Sequence, residues 1–204
     1  MIFFSADFHW GHDKIREYCG RPFDDIYHMR EVLVSRWNEV VSEDDIVYIL
    51  GDWAMGNRSE SLQVSERLAG TKILISGNHD KTFKEGTSDA IIEQYLDSGI
   101  HTVFPSQTIE LALYDLDDTI LLNHFPYDGD SRERDRYTEY RPQNEGKWLV
   151  HGHIHERRRI LDRQINVGVD AWAGYPVSEK TIIDIITANP YGYDSEVPPL
   201  DWGV

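Results

Sequence analysis

The sequence has little of the material that disulfide-linked or membrane-spanning proteins need. Cys19 is the only cysteine among 204 residues, so no internal disulfide can form and the chain suits a reducing compartment. No apolar run approaches the roughly 20 residues that cross a bilayer. The first residues, 1–7, lack the basic flank of a signal peptide. We therefore expect a soluble, cytoplasmic protein with no membrane partner.

Basic residues are also scarce. The chain has 20 Lys and Arg against 36 Asp and Glu, which gives a formal net charge of −16. A field of this sign repels phosphate backbones, so the composition argues against long DNA or RNA as a partner. Divalent cations bound locally could still create a positive pocket inside it. The composition leaves the oligomeric state open.

Short apolar runs alternate with amphipathic stretches, which is typical of an α/β chain. The length suits a single domain over 1–204, with an irregular tail over 189–204. Segment 128–146 is dense in charge and lacks apolar periodicity, so we interpret it as a solvated excursion over the site. The patterns predict helices from Asp13 (as N-cap) to Tyr18, Ile26 to Val41, Ser59 or Ser61 to Leu68 and Asp89 to Leu96, and strands at Ile2–Ala6, Ile46–Leu50, Lys72–Ser76, Ile109–Leu113, Thr119–Leu122, Trp148–Val150 and Thr181–Thr187.

Polar side chains suited to metal binding follow five of the predicted strands. Asp7 and His9 come after the first strand, and alternation along an extended backbone should send both to one side. The same spacing should place His153 and His155 on one face. Ligands of α/β sheets bind beyond the carboxyl ends of the strands, where these residues are expected. The other candidates at strand ends are Asp52, Asn78 and His124.

These seven side chains offer imidazole, carboxylate and amide atoms and no thiolate. Such a set favours a borderline divalent metal, with manganese as the first choice and iron, zinc or nickel as alternatives. Seven ligands exceed the needs of one cation. They suit two divalent metal ions about 3.5–4 Å apart that share a bridging carboxylate.

The order of these motifs resembles the calcineurin-like metallophosphoesterase superfamily. The motifs are Asp7-x-His9, Gly51-Asp52, Gly77-Asn78-His79-Asp80, His124 and Gly152-His153-x-His155, and the flanking blocks Gly11-His12, Arg21-Pro22-Phe23 and Asn166-Val167-Gly168-Val169-Asp170 resemble a small bacterial and phage branch. The resemblance implies a four-layer α/β sandwich of two mixed β-sheets flanked by α-helices. It also implies that Asp7, His9 and His155 hold one metal, that Asn78, His124 and His153 hold the other, and that Asp52 bridges them.

By the same resemblance, His79 would protonate the leaving oxygen or stabilise charge there, and Asp80 would orient its imidazole. His79 also fits a structural role beside the ligands. Candidates for substrate contact are His12, Arg21, His151 and Arg157, although a structural role or a solvated surface would explain each of them as well.

These features predict a metal-dependent phosphoric ester hydrolase that uses a hydroxide between two metals. Its substrate would be a small phosphodiester or phosphomonoester, such as a nucleotide or a cyclic nucleotide. A Ser/Thr protein phosphatase is disfavoured, because those enzymes carry Asp-Arg-Gly where this chain has Trp53-Ala54-Met55-Gly56. The alternatives are a non-catalytic metal-binding scaffold of the same fold and a metal-dependent nuclease.

Overall fold

The computed structural model describes all residues, 1–204, as two β-sheets with five helices. The strands are β1 (Ile2–Ser5), β2 (Ile46–Ile49), β3 (Thr71–Ile75), β4 (Thr102–Phe104), β5 (Ile109–Ala112), β6 (Thr119–Leu122), β7 (Trp148–His151), β8 (Ile160–Leu161), β9 (Gln164–Asn166) and β10 (Val177–Ser178). The helices are α1 (Ile15–Tyr18), α2 (Ile26–Val40), α3 (Arg58–Gln63), α4 (Asp89–Leu96) and α5 (Glu179–Ala188), with 3-10 turns at Val64–Arg67, Thr138–Tyr140 and Val169–Ala171.

Both sheets are mixed. The first has the order β10-β1-β2-β3-β4, in which β1 to β4 are parallel and β10 is antiparallel to β1. The second has the order β5-β6-β7-β9-β8, in which β6, β7 and β9 are parallel and the two edge strands are antiparallel to their neighbours. The predicted fold class of two mixed sheets flanked by helices is confirmed.

Two hydrophobic cores share strand β1, whose side chains alternate between them. Phe3 packs in a core with Leu33 and Trp37 of helix α2, whereas Phe4 packs in a core that includes Leu122 and Val150 of the second sheet. Alternation thus fixes the faces of the first sheet and holds the two sheets together.

None of the helices combines the length and the apolar composition that crossing a membrane would take. The assignment of 1–204 to a single domain stays a prediction.

Helix α2 ends within one residue of its predicted bounds. Asp25 caps it by accepting hydrogen bonds from the backbone amides of Tyr27 and His28, at 2.8 and 2.7 Å. The predicted caps of the two other early helices are wrong. Helix α1 begins after Lys14, and α3 begins after Asn57, neither with a side-chain cap. The carboxylate of Asp13 instead accepts from the Arg16 guanidinium.

The predicted strand Thr181–Thr187 is wrong, because this segment lies within helix α5. Its run of β-branched residues favours a strand on propensity alone. The helix prevails because Ser178 caps it by accepting from the Thr181 amide at 3.2 Å. Ile182 and Ile186, four residues apart, both lie buried in the core on one helical face.

Candidate metal centre

The candidate ligands lie in loops that follow the carboxyl ends of β1, β2, β3, β6 and β7. Parallel pairing brings the ends of β1, β2 and β3 to one edge of the first sheet, and the ends of β6 and β7 to one edge of the second. A hydrogen bond joins the first two loops, from the Asp7 amide to the Gly51 carbonyl at 3.0 Å. Within each sheet the loops therefore converge because the strands are parallel. This edge, beyond the carboxyl ends of the strands, is where α/β sheets bind ligands.

Five of the ligands have a left-handed backbone, with φ between 52° and 73°: Asp7, His9, Asp52, His153 and His155. Non-glycine residues rarely adopt this conformation, and those that do cluster at functional sites. The prediction that extended alternation places Asp7 with His9, and His153 with His155, is therefore wrong. The side chains reach a common region because the backbone turns at each of them.

The ligand atoms form two overlapping groups. Those of Asp7, His9 and His155 all lie within 4.8 Å of one another, and so do those of Asp7, Asp52 and His124. The Nε2 atom of His124 lies 3.2 Å from Oδ1 of Asn78. The ring centroids of His124 and His153 are 5.1 Å apart. The structure thus brings all seven predicted side chains together.

Asp52 belongs to the second of these groups and also lies near His9 of the first. Its Oδ2 atom is 3.5 Å from Nε2 of His9, and its Oδ1 atom is 3.6 Å from Nε2 of His124. Burial opposes ionisation of this carboxyl, but the neighbouring histidines hold its pKa well below the usual range. The two oxygens of this carboxylate therefore face imidazoles from different predicted metal groups, His9 from one and His124 from the other.

Hydrogen bonds occupy Nδ1 of two imidazoles, which leaves Nε2 as the nitrogen for a metal, although in His124 this atom also lies 3.2 Å from Asn78 Oδ1. The Nδ1 atom of His124 donates to the Leu50 carbonyl at 2.8 Å. The Nδ1 atom of His155 lies at the same distance from a carboxylate oxygen of Asp170. Such outer partners set the tautomer and the ring orientation of metal-binding histidines.

Three buried polar atoms of the ligand set have no hydrogen-bond partner: Asp7 Oδ1, His9 Nε2 and His153 Nε2. Buried polar groups are nearly always paired, since leaving one unpaired costs about 1–3 kcal/mol. Oxygen and imidazole nitrogen are ligand atoms for borderline divalent metals. The residues present therefore fit a bound cation, which would satisfy the unpaired atoms.

Close packing at Gly77 lets the loops approach each other. A Cβ atom there would lie 2.4 Å from Asp52 Oδ1 and 2.8 Å from Cε1 of His124. A side chain at this position would push the carboxylate or the imidazole away. The glycine before Asn78 is thus required by space around the site.

A model of the calcineurin-like phosphoesterase family matches residues 1–157, which include every candidate ligand. The chain belongs to the calcineurin-like phosphoesterase family. The chain is also 36% identical over 210 residues to the Gene 66 protein of Mycobacterium phage L5, covering 90% of this chain and 92% of that protein. It is 29% identical over 196 residues to the uncharacterized protein MJ1445 of Methanocaldococcus jannaschii, covering 91% and 90%.

The fold of this chain is similar to a solved structure from Aquifex aeolicus, that of the protein of unknown function AQ665. The TM-score is 0.68 at 24% sequence identity, over 91% of this chain and 99% of the other. This likeness supports the fold alone. Members of the family typically bind divalent metals, which agrees with the clustered carboxylates and histidines of this chain.

Two histidines of the candidate site are held in the neutral form that binds metals. Burial lowers the pKa of His9, and it lowers the pKa of His153 to about 3. His155 differs. Burial lowers its pKa, but the hydrogen bond to Asp170 and the charge of Asp7 outweigh this effect and raise it well above the usual value. A cation at Nε2 would take the place of that proton.

A cavity of about 420 Å³ opens beside the candidate ligands. It is lined by His9, His12, His79, His155, Tyr18 and Arg136, among others. His79 is exposed there, and its ring centroid lies 5.3 Å from that of His9. Its pKa is lowered, first by burial of the ring and in smaller part by charges that include Arg136.

Asp80 does not orient His79. Its carboxylate accepts hydrogen bonds from the backbone amides of Gly77 at 2.9 Å, Trp53 at 3.0 Å and Ala54 at 3.3 Å. Three backbone donors satisfy both oxygens, and no hydrogen bond holds the imidazole. Asp80 therefore joins the loop after β2 to the loop after β3, which positions Asp52 beside Asn78.

The four candidates for substrate contact occupy different places. His12 lines the cavity, half-buried, and its Nδ1 atom is buried without a partner. Arg157 is exposed and lines a neighbouring cavity, where its Nε atom donates to the Ser131 carbonyl. His151 is buried behind the site, where burial lowers its pKa to about 4.

Arg21 lies behind the ligands with a fully buried side chain. Its guanidinium forks onto Asp170, at 2.6 and 2.8 Å, and donates to the carbonyls of Asp7 and Phe8 at 2.7 and 3.1 Å. All of its nitrogen atoms are occupied inside the protein. Arg21 therefore positions Asp7 through the Asp7 carbonyl, and its geometry does not support contact with substrate.

Sequence reasoning assigned no role to three residues that the structure brings to the site: Asp170, Asp130 and Arg136. Asp170 joins Arg21 to His155. It is the last residue of the 166–170 motif, which resembles the bacterial and phage branch of the family but suggested no role for this carboxylate. Asp130 and Arg136 belong to the charged segment. Without apolar periodicity or a strand end, that segment carried no signal that singled either of them out.

Proposed function

We propose that this protein is a hydrolase of small phosphate esters that works with two divalent cations. The main support for this proposal is that seven predicted ligands lie close together and that three of them have a buried atom without a hydrogen-bond partner. The substrate is a phosphodiester or phosphomonoester, of the size of a nucleotide or a cyclic nucleotide. Manganese is the proposed metal, and the single cysteine supports a cytoplasmic location.

In this proposal Asp7, His9 and His155 hold one cation, and Asn78, His124 and His153 hold the other. Asp52 serves both, which is supported by its two oxygens facing His9 and His124. When bound, two cations would activate a water and neutralise phosphate oxygens. The chain supplies the negative and neutral donors, and Asp170 and Leu50 keep the correct imidazole nitrogens turned inward.

His79 is the proposed general acid. Its ring lies in the cavity beside His9, free of any hydrogen bond that would fix it away from a substrate. Its backbone amide donates to Asp52 Oδ1 at 2.9 Å, which ties its position to the ligand set. A proton on this imidazole would pass to the leaving oxygen of the ester.

The test uses purified protein reconstituted with Mn²⁺ and aryl phosphodiesters and phosphomonoesters that release nitrophenol. We expect release that a chelator abolishes. Asp52→Asn should remove turnover and most of the bound metal, measured by titration calorimetry. Asp184→Asn, the same change on the exposed side of helix α5, should leave both intact.

A screen of linear and cyclic nucleotides with the active metal would then define the substrate. Metal binding without release from any ester, across several metals, would contradict the hydrolase and favour the scaffold. Cleavage of DNA or RNA in preference to small esters would instead favour the nuclease.

A further inference from the structure

The charged segment 128–146 forms one wall of the cavity that opens beside the candidate ligands, through Ser131, Arg132 and Arg136. Arg136 of this segment lines the cavity together with His12, His79 and His155. Its side chain is 27% exposed, so it is neither buried in the fold nor free in solvent. The segment therefore brings a fixed positive charge to the side of the cavity.

Asp130 holds this arginine in place. Its carboxylate accepts from the Arg136 guanidinium at 2.7 Å (Nη2) and 3.3 Å (Nε), and from the backbone amides of Arg132 and Arg136, each at 3.0 Å. The Asp130 side chain is only 1% exposed. Charge-assisted, two-point hydrogen bonds of this kind fix the plane of a guanidinium as well as its position.

The same carboxylate lies at the metal site. Its Oδ2 atom is 3.3 Å from Nε2 of His153. Tyr137, next along the chain, has a left-handed backbone with φ of 57°, and its ring packs 5.4 Å from that of Phe125 and 5.9 Å from that of His153. The segment is thus anchored at a candidate ligand by one buried carboxylate and one aromatic contact.

One nitrogen of the guanidinium remains available. Nε donates to Asp130, Nη2 donates to Asp130 and to Ser131 Oγ at 3.2 Å, and only Nη1 makes no hydrogen bond in the structure. The acidic Glu156 and a second arginine, Arg132, also line the cavity, and the half-buried His12 faces the same space. An arginine held by a carboxylate, with free N–H groups toward a cavity, is suited to bind a phosphate.

We propose that Arg136 binds the phosphate group of the substrate and that Asp130 is the residue that positions it. This rests on the proposed function, since it places the phosphate of that reaction between Arg136 and the metal ligands. It also assigns a function to the charged segment. The segment contributes the residue that contacts the substrate, whereas the strand-end loops contribute the metal ligands.

The first experiment measures binding of inorganic phosphate to the Mn²⁺-loaded protein by titration calorimetry. Arg136→Ala should weaken phosphate binding about tenfold or more, the usual size of a charge-assisted contact. Manganese affinity and stoichiometry should stay unchanged. Arg134→Ala removes the same charge from an exposed residue of the same segment that makes no hydrogen bond or ion pair, and it should behave as wild type.

The second experiment separates charge from geometry. Arg136→Lys keeps the charge but loses the fork, so it should recover little of the phosphate affinity. Asp130→Asn should weaken phosphate binding in the same direction, and the double variant with Arg136→Ala should be no weaker than Arg136→Ala alone. With an aryl ester as substrate, Arg136→Ala and Asp130→Asn should each act mainly by raising KM. Asp130→Glu should raise KM less than Asp130→Asn does.

Phosphate binding by Arg136→Ala equal to that of wild type would overturn the proposal, and so would the absence of phosphate binding by the wild-type protein. Ester hydrolysis that does not depend on Arg136 would refute the phosphate contact while leaving the hydrolase intact. Phosphate binding that depends on Arg136, without hydrolysis of any ester, would refute the hydrolase while leaving the phosphate contact intact.

Discussion

The buried ion pair of Arg21 and Asp170 allows a quantitative test of how the site is held together. Both side chains are at most 1% exposed, and the guanidinium also fixes the carbonyls of Asp7 and Phe8. Arg21→Ala would leave the buried Asp170 carboxylate without its guanidinium partner. Loss of one partner of a buried pair costs about 3–5 kcal/mol in the free energy of unfolding. For a chain of this length the melting temperature should fall by about 6–20 °C.

A matched control comes from an arginine with the same two-point geometry at the surface. Arg67 forks onto Glu31 with both distances at 2.7 Å, but the two side chains are 44% and 61% exposed. Solvent screens such a pair, so Arg67→Ala should cost about 0–1 kcal/mol. Urea unfolding of the metal-free proteins, with the slope compared between variants, measures both losses.

The same substitution should act on metal binding. Asp170 accepts from the imidazole of His155, and without Arg21 that carboxylate is free to turn. Loss of an outer partner of a metal ligand typically lowers affinity about 10–100-fold. We therefore expect Arg21→Ala, and not Arg67→Ala, to weaken Mn²⁺ binding in calorimetry. Equal free-energy losses for the two variants, or an unchanged Mn²⁺ affinity in Arg21→Ala, would refute the reasoning.

Four further predictions follow from other contacts. His79→Ala should slow ester hydrolysis about 10²–10⁴-fold with bound metal unchanged, and turnover at the wild-type rate would contradict its role. Mn²⁺ at 100 times its Kd should raise the free energy of unfolding by about 2.7 kcal/mol, an effect that Asp52→Asn should abolish in a thermal shift assay. Gly77→Ala should cost about 1–3 kcal/mol and weaken metal binding, because its Cβ would lie 2.4 Å from Asp52 Oδ1; retained affinity would show that the loop can move. Trp202→Ala should cost about 2 kcal/mol in urea unfolding, since the ring packs edge-on to Phe23 at 5.3 Å and under Arg36, and no loss would mean that the tail adds nothing to stability.

The identity of the ligands could be predicted from sequence because each follows a short apolar strand. Parallel strands deliver their carboxyl ends to one edge, so Asp7, Asp52 and Asn78 must be near neighbours once β1, β2 and β3 pair. The local geometry could not be predicted in the same way. A left-handed turn at Asp7 or His9 depends on contacts with residues far along the chain, such as the Arg21 guanidinium on the Asp7 carbonyl.

Helix α5 shows how local propensity misleads when tertiary packing decides. Its isoleucines favour a strand, yet a cap at Ser178 and the four-residue spacing of Ile182 and Ile186 were both present in the sequence. Asp130 and Arg136 show the opposite case, in which no local signal exists. Their importance arises only when the segment folds back against His153, a contact between distant parts of the chain.

Residues behind the ligands help to hold the site in shape. Five ligands have a left-handed backbone, a conformation that costs about 1–3 kcal/mol where it is strained. Unpaired buried atoms of Asp7, His9 and His153 add further cost. Two contacts offset it: Arg21 holds the loop after β1 through its carbonyls, and Asp80 joins the loops after β2 and β3 through their amides. Substitution of an imidazole ligand should therefore act mainly on metal affinity, whereas substitution of Arg21 or Asp80 should reduce metal affinity and stability together.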